Sequence, residues 1–258
     1  MAATQGDRSM ALSAWSALRS RRARHGPEPL VTYLDMGSGS ASMRTELSAI
    51  SVENAVAKLA NALRDEFDLE PGSSIGLHLP WHWQRSVWWG GCTAIGAGIV
   101  PDGRPDEVDL VACTESGIDE SLRAGDPDRP VLVITEHPLG LPITQPLPAG
   151  FVDAATIIRA QPDLFMPPSP LPQVLVPAAG DLPCAIEPGQ RILVACRVDQ
   201  PNASGSWDWP LAIPLATEAS LVMVAIGDQP VDLDGLAAQE RADAILVLTT
   251  ADRQGPPG

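Results

Sequence analysis

Residues 72–101, GSSIGLHLPWHWQRSVWWGGCTAIGAGIVP, constrain the fold more than any other stretch of the chain. The apolar run Ile75–Leu79 stops at Pro80, which fixes φ and removes a backbone donor. A tryptophan-rich stretch of helical length follows over 82–96, and Gly96-Ala97-Gly98 leads into a second short apolar run over 97–100, closed by Pro101. Strand, helix and strand in this order are the parts of a crossover between parallel strands. Gly90, Gly91 and Gly96 weaken the helix as a local structure, so close packing against its neighbours must hold it.

The rest of the chain repeats this alternation. Residues 51–67 form the clearest helix, because Val52, Ala55, Val56, Leu59, Ala60 and Leu63 draw one apolar stripe at helical spacing. Ser51 is placed to cap its N-terminus, and Glu53 suits the positive end of the helix dipole. Residues 9–24 read as a further helix and Leu30–Leu34 as a short strand, with a turn or loop over 35–45. Other apolar runs predict strands at 108–112, 131–135, 191–196, 220–226 and 244–248, and helical segments fall near 150–160 and 232–242. The expected fold class is α/β, with largely parallel sheets flanked by helices.

Half of the 26 prolines lie between residues 130 and 188, which rules out a continuous sheet or helix there. This predicts a basic N-terminal helix over 1–25, a first α/β subdomain over 26–165, a proline-rich connection over 166–187, a second α/β segment over 188–250 and a tail over 251–258.

With 45% hydrophobic and 19% charged residues the chain reads as globular. No apolar run approaches the roughly 20 residues of a membrane span. The net charge of −15 is uneven: residues 1–25 are basic, whereas residues 102–258 carry most of the acid. Such a surface repels a nucleic-acid duplex, and neither nucleic acid nor membrane is an expected partner. Arg19, Arg21, Arg22 and Arg24 follow the weakly apolar stretch 10–18 rather than precede it, so the N-terminus does not read as a secretory signal. Residues 8–24 are Arg-rich and acid-poor, as in mitochondrial presequences, but an ordinary first helix is the simpler reading. Cys92, Cys113, Cys184 and Cys196 show no CxxC spacing and read as reduced, small apolar residues of a cytoplasmic protein. The scarcity of lysine (Lys58 alone) beside many Ala, Arg, Pro and Asp suggests a high-GC bacterial genome.

The motifs of familiar chemistries are missing. His78 and His82 stand four apart, but Pro80 between them prevents a shared helical face, and no metal site is expected. There is no G-x-S-x-G elbow, and no G-x-G-x-x-G between a strand and a helix. Asn202-Ala203-Ser204 matches a glycosylation triplet that a cytoplasmic protein would not use. Trp207 and Trp209 flank Asp208 in a polar loop. These three are the candidate ligand-pocket residues, with cover for a sheet edge as the alternative.

The order of these elements resembles the opening of the adenylate-forming, AMP-binding enzymes, the acyl-CoA synthetases and their relatives. Residues 29–67 supply a strand, a hairpin-like loop, Glu46-Leu47-Ser48 and the helix bearing Lys58-Leu59-Ala60-Asn61-Ala62-Leu63. Leu69-Glu70-Pro71-Gly72 and the strand to Leu79-Pro80 continue it, and Gly96-Ala97-Gly98-Ile99-Val100-Pro101 is similar to the superfamily's early Gly-Ala-turn-Pro signature. Weaker similarity resumes at Pro188-Gly189-Gln190-Arg191-Ile192-Leu193-Val194, and at Pro214-Leu215-Ala216 with Ala219-Ser220-Leu221-Val222-Met223-Val224.

The resemblance implies a Ser/Thr/Gly-rich phosphate loop ending in Pro-Lys-Gly between about 165 and 190, where this chain reads FMPPSPLPQVLVPAAGDLPCAIEPGQ, without lysine or arginine. It also implies a Tyr-Gly-x-Thr-Glu motif, which is absent (Tyr33 is the only tyrosine), and a mobile C-terminal domain with a catalytic lysine. Lys58 is the only lysine, and arginine is not equivalent at such a position. The resemblance therefore points to a truncated, degenerate, non-catalytic relative with no catalytic residue and no cofactor. Its expected partner is a full-length synthetase or another protein, or a small acyl or aromatic ligand. The alternative is an active ATP-dependent acid ligase whose nucleotide site is atypical or completed by a partner, and only then would ATP, AMP or CoA bind.

Overall fold

A computed structural model describes residues 9–37, 43–123, 129–177, 182, 184–200 and 207–249. In chain order these form β1 (Ser9–Leu12), α1 (Ala14–His25), β2 (Pro29–Met36), β3 (Met43–Ser48), α2 (Ala49–Asp65), β4 (Ser74–His78), α3 (Gln84–Ile95), β5 (Gly98–Pro101), β6 (Leu110–Thr114) and β7 (Val131–Ile134). They continue as β8 (Phe151–Asp153), α4 (Ala154–Ala160), β9 (Val174–Pro177), β10 (Arg191–Arg197), α5 (Ala212–Thr217), β11 (Ser220–Ile226), α6 (Leu233–Glu240) and β12 (Ala244–Leu248).

The α/β expectation holds. One five-stranded sheet, in the order β5-β4-β6-β7-β8, is parallel throughout. A second, β12-β10-β11-β2-β3, is parallel except for its edge strand β3, which pairs antiparallel with β2. The sheets do not follow chain order, because β2 and β3 lie beside strands contributed by residues 191–248.

Helices α1, α2, α3 and α5 fill the space between the sheets. The main apolar core joins Val31, Ile192 and Met223 of one sheet to Ile75, Leu77 and Ile134 of the other through Val56, Leu59, Trp88 and Ile213. The outer face of the second sheet packs on α6 through Leu193, Val222 and Ala237. The outer face of the parallel sheet is covered by loop residues such as Leu122 around Val111 and Val133. Strands covered on both faces must be apolar through their middle, and β6, β7, β10 and β11 are, with polar residues such as Arg191, Arg197, Thr114 and Ser220 only at strand ends.

The α2–α3 contact accounts for the glycines. A Cβ on Gly91 would lie 2.7 Å from Leu59 Cγ, and one on Gly90 would lie 2.6 Å from Val56 Cγ2. The helices touch where α3 has no side chain, and Gly96 ends α3 in the left-handed region at φ +85°.

Three local expectations change. Residues 9–12 are strand rather than helix. Met10 and Ala11 pair with Val176 and Leu175 of β9, and the helix begins only after Ser13; residues 1–8 and 251–258 lie outside the described residues. The cap of α2 is Ser48 rather than Ser51, because the helix starts earlier and the Ser51 N–H donates to Ser48 Oγ at 3.2 Å. The 150–160 helix is preceded by strand β8. Asp153 ends that strand and caps α4, accepting from the N–H groups of Ala155 at 3.0 Å and Thr156 at 3.2 Å.

Candidate functional site

The parallel strands of both sheets end on one side of the molecule. The loop after β4 carries His82, whose ring lies 4.7 Å from the Tyr33 ring of β2 in an edge contact. Gln84, at the start of α3, donates to the Thr135 carbonyl just beyond β7, and Ser86 Oγ donates to the Pro210 carbonyl at 2.8 Å. In open α/β sheets, ligands bind beyond the carboxyl ends of the strands.

A cavity of about 190 Å3 lies at this edge, between α2, α3, α4 and the end of β7. Ala55 and Lys58 line it from α2, Trp83, Val87 and Trp88 from α3 and its approach, Ile134 and Thr135 from β7, Leu139 and Gly140 from the next loop, and Ala154, Ala155, Ile158 and Arg159 from α4. Gly140 sits at φ +58°, and a Cβ there would lie 3.3 Å from the Trp83 ring, so the loop approaches the indole closely because it lacks a side chain.

Lys58 does not offer a free ammonium to this space. Its Nζ donates to the carbonyls of Arg159 at 3.2 Å and Gln161 at 2.7 Å, and pairs with Asp163 at 2.9 Å. Three acceptors match the three donors of an ammonium. Trp83 is only 8% exposed, and among the described residues its indole N–H has no hydrogen-bond partner.

None of the three residues singled out in the sequence lines this cavity. Trp209 is 2% exposed and belongs to the main core. Trp207 is half-buried, with the Arg85 guanidinium 4.1 Å above its ring, a cation–π contact. Asp208 is half-buried, and desolvation raises its carboxyl above the usual range. Arg85 itself is fully buried and donates from Nε to the carbonyls of Leu79 at 3.0 Å and Pro80 at 2.8 Å. Burial lowers its pKa to about 10, so it remains charged at neutral pH.

The histidines serve packing and hydrogen bonding. His78 reaches the Gly103 carbonyl at 3.1 Å and Asp102 at 3.6 Å, while His82 is held neutral by burial, its pKa lowered to about 4. Among the described residues, no group of three or more His, Cys, Asp or Glu could hold a metal ion. Burial raises every thiol, Cys113 to about 11, which suppresses the thiolate a nucleophile needs.

Larger concavities lie at the opposite, amino ends of the strands. One, of about 610 Å3, runs past the starts of β2, β10 and β11. Glu240 there accepts from Arg44 at 2.8 Å and Arg191 at 3.1 Å, and Arg191 also donates to Thr32 Oγ1 at 2.9 Å. The Arg44 hydrogen bond, then that of Arg191, holds the Glu240 carboxyl below the usual range.

The chain is 34% identical over 238 residues to a "TIGR03089 family protein" of Mycobacterium tuberculosis, an alignment covering 84% of this chain and 91% of the relative. The chain belongs to the TIGR03089 family. No protein-family model matches it. Among solved structures this family member is similar to an acetoacetyl-CoA synthetase from Streptomyces lividans, at 18% identity and a TM-score of 0.62, covering 94% of this chain and 44% of that one. It is also similar to an acyl-CoA synthetase of Brucella canis, at 14% identity and a TM-score of 0.64, covering 95% and 48%. The fold is therefore that of acyl-CoA synthetases, and the chain spans about half the length of the solved structures it matches. Among the described residues, no helix is long and apolar enough to cross a membrane.

Proposed function

We propose that this TIGR03089 family member is a non-catalytic binding protein built on the acyl-CoA synthetase fold, taking a small apolar ligand in the cavity between α2, α3 and α4. The observation that carries this reading is the chemistry of the cavity wall. It is lined mainly by indole, aliphatic and alanine side chains, its one lysine is already saturated by three acceptors, and Arg159 stands at its exposed margin. Such a wall desolvates an apolar ligand, and one exposed arginine does not make the cradle of donors that a transferring adenylyl group needs. The proline-rich stretch where a phosphate loop is expected supports the same reading, because Val174–Pro177 pairs with β1 instead. A fold does not bring its activity with it; that depends on the site.

A second reading is a ligase whose nucleotide site is completed by a partner chain. It is favoured by the retained acyl-CoA synthetase fold. ATP, AMP or CoA would bind only in that case, with a full-length synthetase the natural partner.

The test pairs two assays on the purified chain. ATP–pyrophosphate exchange across a panel of carboxylic acids is expected to be absent, and exchange with any acid would overturn the non-catalytic reading. Small ring compounds are expected to bind the native chain and not Ala155→Leu, whose added side chain fills the cavity. Unchanged binding by a folded Ala155→Leu protein would place the ligand elsewhere.

A further inference from the structure

The cavity has a definite size, an aromatic wall and one uncompensated charge. Its volume of about 190 Å3 is somewhat larger than the roughly 150 Å3 that accepts benzene in an apolar protein cavity. One ring with a short substituent fits, and a long acyl chain does not. Trp83 and Trp88 supply indole surface, which favours a flat ring through offset or edge-on contact.

The charge comes from α4. Arg159 is exposed where it lines the cavity, and among the described residues its guanidinium has no hydrogen-bond or ion-pair partner. Lys58 is not equivalent, since Asp163 and two carbonyls already take its protons. In a chain of net charge −15, an unpaired cation beside an apolar cavity is a local attractor for anions.

Resting on the reading of this cavity as a ligand site, we propose that it takes a single-ring aromatic monoanion. The ring lies among Trp83, Val87, Trp88 and Ile158, and the anionic group lies on the Arg159 guanidinium. The planar fork of arginine suits a carboxylate or sulfonate by paired N–H donors, so Arg159 becomes the residue that sets specificity.

The test titrates the purified full chain with benzoate, benzenesulfonate and the neutral isostere benzamide, followed by tryptophan emission. At least one anion is expected to bind about tenfold or more tightly than benzamide, the scale of one charge-assisted contact. Arg159→Gln, at an exposed position, is expected to bring all three to one affinity. Benzoate favoured over benzenesulfonate would identify a carboxylate ligand, and equal affinity would identify recognition by charge and ring alone. Equal binding of benzamide and both anions by the native chain would overturn the anion anchor while leaving the cavity as a ligand site. Failure of all three to bind at millimolar concentration would overturn both.

Discussion

The two ends of the sheets are built on different chemistry. At the amino ends of β2, β10 and β11, carboxylates and guanidiniums satisfy one another, with Glu240 held between Arg44 and Arg191. At the carboxyl ends, the charge of Arg85 is buried under tryptophan and capped by backbone carbonyls, His82 is neutral, and a cavity lined by indoles stays open. A network of paired charges ties strand starts together and leaves few groups free for a ligand. A largely apolar cavity between helices gains little for the fold, since a filled core would stabilise it more. The amino edge is therefore a network of paired charges, and under the proposed function the carboxyl edge is where stability is given up for a ligand.

Four experiments would break or sharpen this contrast. The largest effect is expected from Arg85→Met, which leaves the buried carbonyls of Leu79 and Pro80 without their donor and should cost about 3 kcal/mol or more in denaturant unfolding. A loss below about 1 kcal/mol would mean that the carboxyl edge does not depend on this buried cation.

Acid should act next through His82. Its folded pKa of about 4 lies below the ordinary histidine value, so the unfolded chain binds the extra proton as pH falls from about 6.5 to about 4. Stability then drops by up to about 1.4 kcal/mol per pH unit across that window. His82→Gln should flatten that slope in pH-dependent unfolding, and an unchanged slope would assign it to other groups.

At the amino edge, Glu240→Gln should cost about 2 kcal/mol by unpairing Arg44 and Arg191, with Arg44 partly relieved by solvent. Because the folded Glu240 carboxyl is held low, its contribution is complete above the ordinary glutamate range. It is lost as pH falls below that range and through the lowered value. Ring-compound affinity should not change. A changed affinity would couple the two ends and break the contrast.

Trp83→Phe should have the smallest effect on stability, under about 1 kcal/mol, because the indole N–H it removes has no partner and its loss offsets the lost ring area. The same variant should alter ring-compound binding more than stability. A large stability loss with unchanged binding would make Trp83 a packing residue only.

Much of the fold was legible because it rests on periodicity. The stripe from Val52 to Leu63 marks α2, and the apolar runs at 191–196 and 220–226 mark central strands covered on both faces. Gly90 and Gly91 also announced a close helix contact, which Val56 and Leu59 supply. Short or edge elements were harder. Val174-Leu175-Val176 lies among prolines and becomes a strand only because residues 9–12 come from far away in the chain to pair with it. The cavity was not legible at all. Its wall comes from separate segments, and Ala55, Ala154 and Ala155 leave no mark in a sequence that would distinguish a cavity wall from ordinary packing. Tryptophans drew attention to 207–209, yet Trp209 fills the core and Trp207 stacks on Arg85, while Trp83 and Trp88 line the open space.

Backbone amide shifts of the native chain titrated with benzoate would locate the ligand without assuming where it goes. Perturbations centred on Gly140, Ala154, Ala155 and Ile158, with the amides around Glu240 unmoved, are the predicted result. Perturbations centred instead on Trp207–Trp209 or on the Arg44–Glu240–Arg191 network would contradict the assignment of ligand binding to the carboxyl-edge cavity.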